Sequence, residues 1–191
     1  MKLSVAVSSE WGIGFENGLL FRIKEDLDRF KELTTGKIVV MGRKTFESLP
    51  KSRRPLPNRT NIVLTRRENW HCDGVTVFHS IPALLETLPV LLETLPALLE
   101  ISPTLLELPP PLEGLKARDE QDIFIIGGEE IYTQMLNHCK TAYVTKVHAA
   151  PPADAFFPNI DKMPDWRLES ESTTHFHGEL AYTFCKYSRA V

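Results

Sequence analysis

Asp26 lies one residue before Leu27 and four before Phe30, on the edge of an apolar stripe with helical spacing. Two readings fit a carboxylate there. As a first-turn acid it complements the positive end of the helix dipole. As a half-buried group it binds a cationic or amidine-like ring, because its two oxygens match two parallel N–H donors. Three other places suit phosphate. Met41-Gly42-Arg43-Lys44-Thr45 puts a glycine, two cations and a hydroxyl at a strand-to-helix turn, where unpaired amides and positive charge attract an anion. Thr65-Arg66-Arg67 and Gly127-Gly128 repeat the theme at two later strand ends. Each alone is only a charged or glycine-containing loop. Together they point to an extended polyphosphate ligand across the carboxyl ends of strands in an open α/β sheet. Walker spacing is missing, so ATP hydrolysis is not indicated.

Other candidate motifs carry less. Gly12-Ile13-Gly14-Phe15-Glu16-Asn17 nearly fits G-x-G-x-x-G after a strand, but the third glycine is missing. Gly18-Leu19-Leu20-Phe21 does not read as a helix opening on phosphate, so the segment is expected to be a mobile loop. His175 and His177 flank Phe176 in an exposed-looking stretch, where a strand would put both on one face. A metal needs a third ligand that the sequence does not offer, and none is expected. No nucleophile signature of the G-x-S-x-G kind is present.

Short strands and helices must position these residues. Leu3 to Ser8 is an apolar run ended by Trp11-Gly12, which reads as a buried strand. Residues 24–33 read as a helix, with Ile23, Leu27, Phe30 and Leu33 on one side and Gly36 as its stop. Lys37 to Gly42 is a second strand, running into a short helix from Arg43 to Leu49 that Pro50 stops. Asn61 to Thr65 and Val75 to Phe78 are the third and fourth strands. Asp122 to Gly128 is a fifth, followed by a helix from Glu129 to Leu136 and a sixth strand from Thr141 to Val147. Alternating patterns near Trp166-Leu168-Ser170 and Tyr182-Phe184-Lys186 predict an antiparallel edge pair. The expected fold is a single α/β domain over residues 1–191. It has a mostly parallel central sheet of about eight strands, an antiparallel C-terminal edge and helices on both faces.

Composition narrows the function classes. The chain has 191 residues, 42% hydrophobic and 25% charged, which is ordinary for a soluble globular domain. Lys and Arg number 22 against 25 Asp and Glu, so a general nucleic-acid binder is not expected. The three cysteines, Cys72, Cys139 and Cys185, form no CxxC pair, and no signal peptide or membrane span is legible. A reducing, cytoplasmic setting is expected.

Residues 82–115 stand apart. Pro82-Ala-Leu-Leu-Glu-Thr-Leu88 is repeated with a period of seven through Pro109, and a degenerate unit closes the tract at Gly114. Leu84, Leu88, Leu91, Leu95 and Leu98 alternate at 4 and 3, as in a coiled-coil seam. Each interior proline costs a helix about 3 kcal/mol, whereas a proline in the first turn costs nothing. The tract therefore reads as short or kinked helical pieces with one leucine-rich side. That side is buried on the body, on a second copy or on a partner; the other reading is a neutral expansion of one surface helix.

Taken in order, these residues resemble the dihydrofolate reductase family. The resemblance runs through Gly14-Phe15-Glu16-Asn17-Gly18-Leu19, Asp26-Leu27-Arg29-Phe30-Lys31 and Val40-Met41-Gly42-Arg43-Lys44-Thr45-Phe46-Glu47-Ser48-Leu49. It continues in Pro55-Leu56-Pro57-Asn58-Arg59, Ile125-Ile126-Gly127-Gly128-Ile131-Tyr132, Tyr143-Thr145 and Asp154-Phe156-Phe157-Pro158. It covers about residues 1–81 and 116–189. It implies NADPH-dependent reduction of 7,8-dihydrofolate to tetrahydrofolate, with hydride passing to C6 and N5 protonated with the help of Asp26. Thr145 would orient that carboxylate, and Phe21 would supply the aromatic wall beside it. Val5, Ala6, Leu27, Phe30, Leu49 and Leu56 would line the pterin and aminobenzoyl slots, and Arg59 would clamp the glutamate tail.

For NADPH, the resemblance implies a pyrophosphate on Arg43, Lys44, Thr45 and a cis Gly127-Gly128 turn. Arg66, with Thr65 and Arg67, would take the 2′-phosphate and select NADPH over NADH. Further cofactor contacts would come from Ala6, Ile13, Gly14, Gly42 and Leu64, and from Ile126, Glu129, Ile131 and Tyr132. The partners implied are dihydrofolate and NADPH, with neither nucleic acid nor membrane, and a monomeric chain unless residues 82–115 self-associate. Three features depart from the family. Leu20-Phe21 replaces the usual Pro-Trp, losing the indole N–H that often anchors a water. Glu129 and Glu130 follow the glycine pair. The heptad tract enlarges the connection before the fifth strand, beside the expected adenosine end. A related riboflavin-pathway reductase shares this fold, but Asp26, Phe30 and Arg59 argue against it. An assembly module built on a reductase body, with the leucine tract as its partner surface, is the reading from another class.

Overall fold

The structure, a computed structural model, describes residues 1–89 and 122–190. The chain divides into two compact units, Met1–Leu33 with Ile125–Val191, and Thr34–Phe124. The main sheet is mixed and mostly parallel, with eight strands along its path and an antiparallel edge. The expected α/β class therefore holds.

The first unit starts with β1 (Lys2–Val7), where Leu3, Val5 and Val7 are buried and the residues between them are partly covered. This is the period-2 pattern of a strand. β1 pairs in parallel with β8 (Thr141–Val147), placing Ala6 opposite Thr145. β8 pairs antiparallel with β12 (Leu180–Arg189), placing Phe184 opposite Thr145. β10 (Trp166–Glu171) and β11 (His175–His177) both pair antiparallel with β12 and complete the C-terminal edge. Two helices belong here, α1 (Lys24–Thr34) and α4 (Glu129–Met135). A 3₁₀ turn, Leu136–His138, continues α4 beyond the expected end.

Where a loop is expected after β1, the chain forms a hairpin. β2 (Gly12–Phe15) pairs with β3 (Gly18–Leu19) and with β9 (Ala155–Phe156) in a small sheet. Glu16 and Asn17 both have positive φ, at 50° and 61°, the conformation that closes a two-residue hairpin in the sense of the strand twist. The strands are only four and two residues long, too short for an alternating pattern to show. Asp154 fastens the hairpin. Its Oδ2 accepts from the Glu16 N–H at 2.8 Å, and its own N–H donates to the Gly14 carbonyl at 3.0 Å. His175 and His177 do share a strand face, but both are half-buried rather than exposed.

In the second unit β4 (Ile38–Gly42), β5 (Thr60–Leu64) and β6 (Val75–Phe78) pair in parallel, in that order. Ile38, Val39, Val40 and Met41 are all buried, as a strand covered on both faces requires. α2 (Arg43–Ser48) follows β4 without a gap. β7 (Ile123–Ile125) is shorter than expected, since Asp122 and the glycines lie outside it.

Residues 81–89 form a further helix, α3. The Ser80 hydroxyl accepts from the Ala83 N–H at 3.3 Å and caps its start. Pro82 stands in the first turn, where its missing N–H removes no helical bond. Leu84 and Leu88 are buried, so the first heptad packs its leucine side inward. The expectation for residues 90–115 lies outside the described residues. No helix among the described residues is long and apolar enough to cross a membrane.

Candidate active site

Asp26 belongs to the first turn of α1, and the strand next to β1 supplies its partner. The buried Thr145 hydroxyl on β8 donates to Asp26 Oδ1 at 2.5 Å. Burial raises the Asp26 carboxyl above the ordinary aspartate range. The Thr145 hydroxyl and the positive charge of Arg29 pull it back. Asp26 stands in the first turn of α1, as the dipole reading has it, and its carboxylate is half-buried, as the ring-binding reading has it.

The apolar stripe of α1 is not all core. Ile23 is buried, joining Val147 and Tyr182 in a cluster against which Phe21 packs. Leu27 is 37% exposed, while Phe30 and Leu33 are half-buried. The helical spacing predicts a stripe that faces inward along its whole length; Leu27 and Phe30 instead leave apolar surface on the helix that carries Asp26. Val5 is buried and Ala6 half-buried in β1, with Ala6 in register with Thr145.

The glycine pair also lies in this unit. The Gly127-Gly128 peptide is cis, as the resemblance implied. Gly127 has φ of 108°, and a Cβ there would meet the Tyr132 ring at 2.9 Å. Only glycine accepts both constraints. The buried Tyr132 hydroxyl donates to the Ser4 carbonyl at 2.6 Å, and Ile131 and Tyr132 both donate their N–H groups to the Gly128 carbonyl. Gly128 caps α4 without a side-chain hydrogen bond. Ile126 is half-buried, Ile131 buried and Glu129 exposed. Ile13 and Gly14 lie in β2, where a Cβ on Gly14 would come within 3.0 Å of the Gly18 carbonyl.

The second unit places the other phosphate-type residues. Gly42 pairs with Leu64, so the ends of β4 and β5 stand side by side. Arg43, Lys44 and Thr45 open α2 from Gly42, which again caps without a side chain. Lys44 is exposed, whereas Arg43 is paired with Glu47, which also accepts from Trp70 Nε1 at 3.2 Å. Thr65 is buried. Its N–H donates to the Phe78 carbonyl, and its hydroxyl accepts from the Arg67 N–H at 3.2 Å. Arg66 is exposed beside it.

Leu56 is buried and locked to Asn61, whose side chain accepts from the Leu56 N–H and donates to its carbonyl, both at 2.9 Å. Leu49 is half-buried. Arg59 donates to Thr34 Oγ1 at 3.0 Å and to the Pro57 carbonyl at 3.1 Å, which fixes a half-buried guanidinium. Burial lowers the hold of that group on its proton.

Arg29 and Phe184 have no site role in the sequence reading, yet they meet beside Asp26. Arg29 lies over the Phe184 ring at 4.3 Å and near that of Tyr143 at 5.7 Å. Its spacing from Asp26 is visible in the sequence; its seat on β12 is not. Among the described residues no group of three His, Cys, Asp or Glu side chains could hold a metal ion.

The family model for dihydrofolate reductase matches residues 1–93 and 107–189, leaving 94–106 inside the heptad tract unmatched. A dihydrofolate reductase of Staphylococcus aureus is 33% identical over 172 residues, spanning 89% of this chain and 86% of that protein. That of Bacillus subtilis is 30% identical over 179 residues, 93% of this chain and 87% of that protein. A solved structure of dihydrofolate reductase from Enterococcus faecalis, complexed with NADP(H) and RAB-propyl, superposes with a TM-score of 0.74 at 27% identity. It covers all of this chain and 96% of its own. With a half-buried Asp26 held by Thr145, a cis Gly127-Gly128 turn and a family match over most of its length, this chain belongs to the dihydrofolate reductase family.

Proposed function

We propose that this chain reduces 7,8-dihydrofolate to 5,6,7,8-tetrahydrofolate with NADPH, as a single catalytic domain in the reducing cytoplasm. The observation that carries the reading is the Thr145–Asp26 hydrogen bond, which holds a half-buried carboxylate in one orientation. Each carboxylate oxygen has two lone pairs. After Asp26 Oδ1 accepts from Thr145, both oxygens can still accept, one from a pterin ring N–H and the other from its 2-amino group. That paired contact orients the ring. Leu27 is exposed and Phe30 half-buried on the same helix, and their apolar side chains suit the flat faces of the pterin and the aminobenzoyl ring. Leu49 lies beyond them in sequence, and the anchored guanidinium of Arg59 suits the carboxylates of the glutamate tail. Cys72, Cys139 and Cys185 are all free thiols, which fits a reducing compartment.

The residues present fit the cofactor. Gly42 and Gly128 both open helices with no side-chain cap, so no side chain stands between those helix starts and phosphate oxygens. Gly127 makes a close approach that a Cβ would block. Arg43, Lys44 and Thr45 would hold the pyrophosphate, and Arg66 beside Thr65 would hold the 2′-phosphate. Bound NADPH supplies the hydride that C6 of the pterin receives. The chain's own part is to orient the ring through Asp26, to narrow water access with Phe21, and to favour a proton at N5 through the negative field of Asp26.

Loss of NADPH absorbance, followed with dihydrofolate, without it, and with NADH in place of NADPH, tests the reading. Absorbance should fall only when dihydrofolate and NADPH are both present. A folded sample that consumes no NADPH with dihydrofolate would overturn it.

A further inference from the structure

Arg29 follows Asp26 by three residues on α1, a spacing that puts two side chains on one helix face about 5–6 Å apart. Its guanidinium carbon lies 4.3 Å from the centroid of the Phe184 ring and 5.7 Å from that of Tyr143. Both rings border Thr145. Tyr143 precedes it by two residues, on the same face of β8, and Phe184 is its partner across the sheet on β12. One patch of the β8–β12 pair therefore seats both the hydroxyl that binds Asp26 and the arginine that follows it. Among the described residues the guanidinium makes no hydrogen bond and no ion pair. Its charge is held by ring faces, which attract a cation without neutralising it.

We propose that Arg29 is a positioning residue of the pterin site: seated on Phe184 and Tyr143, it keeps the Asp26 carboxylate ionised, and so sets the lowest pH at which the ring is gripped. This deepens the function proposed above and rests on it. The other groups around the pair leave Arg29 as the charge of opposite sign. Burial drives Asp26 towards its protonated form; the Thr145 hydroxyl opposes this first, and among the described residues Arg29 is the cation that adds to that opposition. Tyr132 from α4 and Tyr182 from β12 stay neutral, since burial and the negative charge of Asp26 both hinder their ionisation. Cys185 from β12, near Arg29, is a buried thiol whose ionisation burial also hinders. Glu25 is turned to His177 of β11, with Oε2 3.0 Å from Nδ1.

The test is a carboxyl-carbon NMR titration of Asp26 in the full, unliganded chain, compared with the pH profile of kcat/KM. In Arg29→Met the Asp26 midpoint should rise by about one pH unit, a tenfold loss of acidity. The acid limb of kcat/KM should move by the same amount, and Arg29→Lys should restore most of both. A residue that only packs would change stability and leave the midpoint alone. An unmoved midpoint in folded Arg29→Met overturns the proposal. If that variant does not fold, Arg29→Gln carries the same expectation, and an unmoved midpoint there overturns the proposal equally. Because the titration needs no substrate, it reads the coupling even in a chain inactive on dihydrofolate. An unmoved midpoint in an active enzyme would reject the role of Arg29 and leave the reductase reading standing.

Discussion

The Thr145 hydroxyl donates to Asp26 Oδ1 at 2.5 Å across 119 residues of chain, joining the first helix to the strand beside β1. Hydrogen bonds to charged groups contribute about 1.5–3 kcal/mol. Thr145→Val keeps the volume and removes the donor. We expect kcat/KM for dihydrofolate to fall about tenfold or more, whereas Thr145→Ser, which keeps the hydroxyl, should stay within a few-fold of the native enzyme. Steady-state kinetics of the two variants decide it, and equal losses would show that volume, not the hydrogen bond, matters there.

Asp26→Asn should separate stability from activity. Burial raises the Asp26 carboxyl above the ordinary aspartate range, so folding disfavours its ionised form. Well below that range the carboxyl is protonated in both folded and unfolded chains and costs nothing. As pH rises through the ordinary value and then the raised one, the unfolded chain ionises first and stability is lost. Asparagine avoids that loss. The Tm of the variant should exceed that of the native chain at neutral pH, with the gap closing in strong acid, while turnover falls at least about a hundredfold. Thermal unfolding at several pH values would reveal the opposite trend if the carboxylate were stabilising.

Gly127→Ala should weaken the cofactor side. The φ of 108° strains an alanine, and its Cβ would meet the Tyr132 ring at 2.9 Å. The expected loss of stability is about 1–3 kcal/mol, with a raised KM for NADPH because Tyr132 must shift. Denaturant unfolding and NADPH kinetics on one preparation measure both effects. Native stability with a native KM would show that the turn tolerates a side chain.

Asp154→Ala removes the acceptor for the Glu16 N–H, found at 2.8 Å. The contact is exposed, so the cost is set at about 1 kcal/mol, which corresponds to roughly fivefold faster exchange of the Glu16 amide. Hydrogen exchange read by NMR should place the change in the β2–β3 hairpin and leave β8 untouched. Uniform acceleration over the whole chain would mean global destabilisation instead.

Much of this protein was legible before folding was considered. The buried β4 run from Ile38 to Met41, the helix start after Gly42 and the antiparallel edge at β10 and β12 follow from local apolar patterns. Such patterns report the period and burial of an element directly. The β2–β3 hairpin was not legible, because strands of four and two residues show no period, and Asp154, distant in the sequence, fastens it.

At the site the division is similar. The sequence by itself determined the residue types: an acid on the first helix, cations and hydroxyls at strand ends, and a glycine pair after the fifth strand. Tertiary structure alone decided the state of those groups. Whether Asp26 was a solvated first-turn acid or a half-buried carboxylate depended on Thr145, which reaches it only because β8 lies beside β1. The seat of Arg29 depended on Phe184, brought opposite Thr145 by antiparallel pairing. Burial, and therefore the charge state of a carboxyl, is a property of what packs against it, and residues far away in the chain supply that packing.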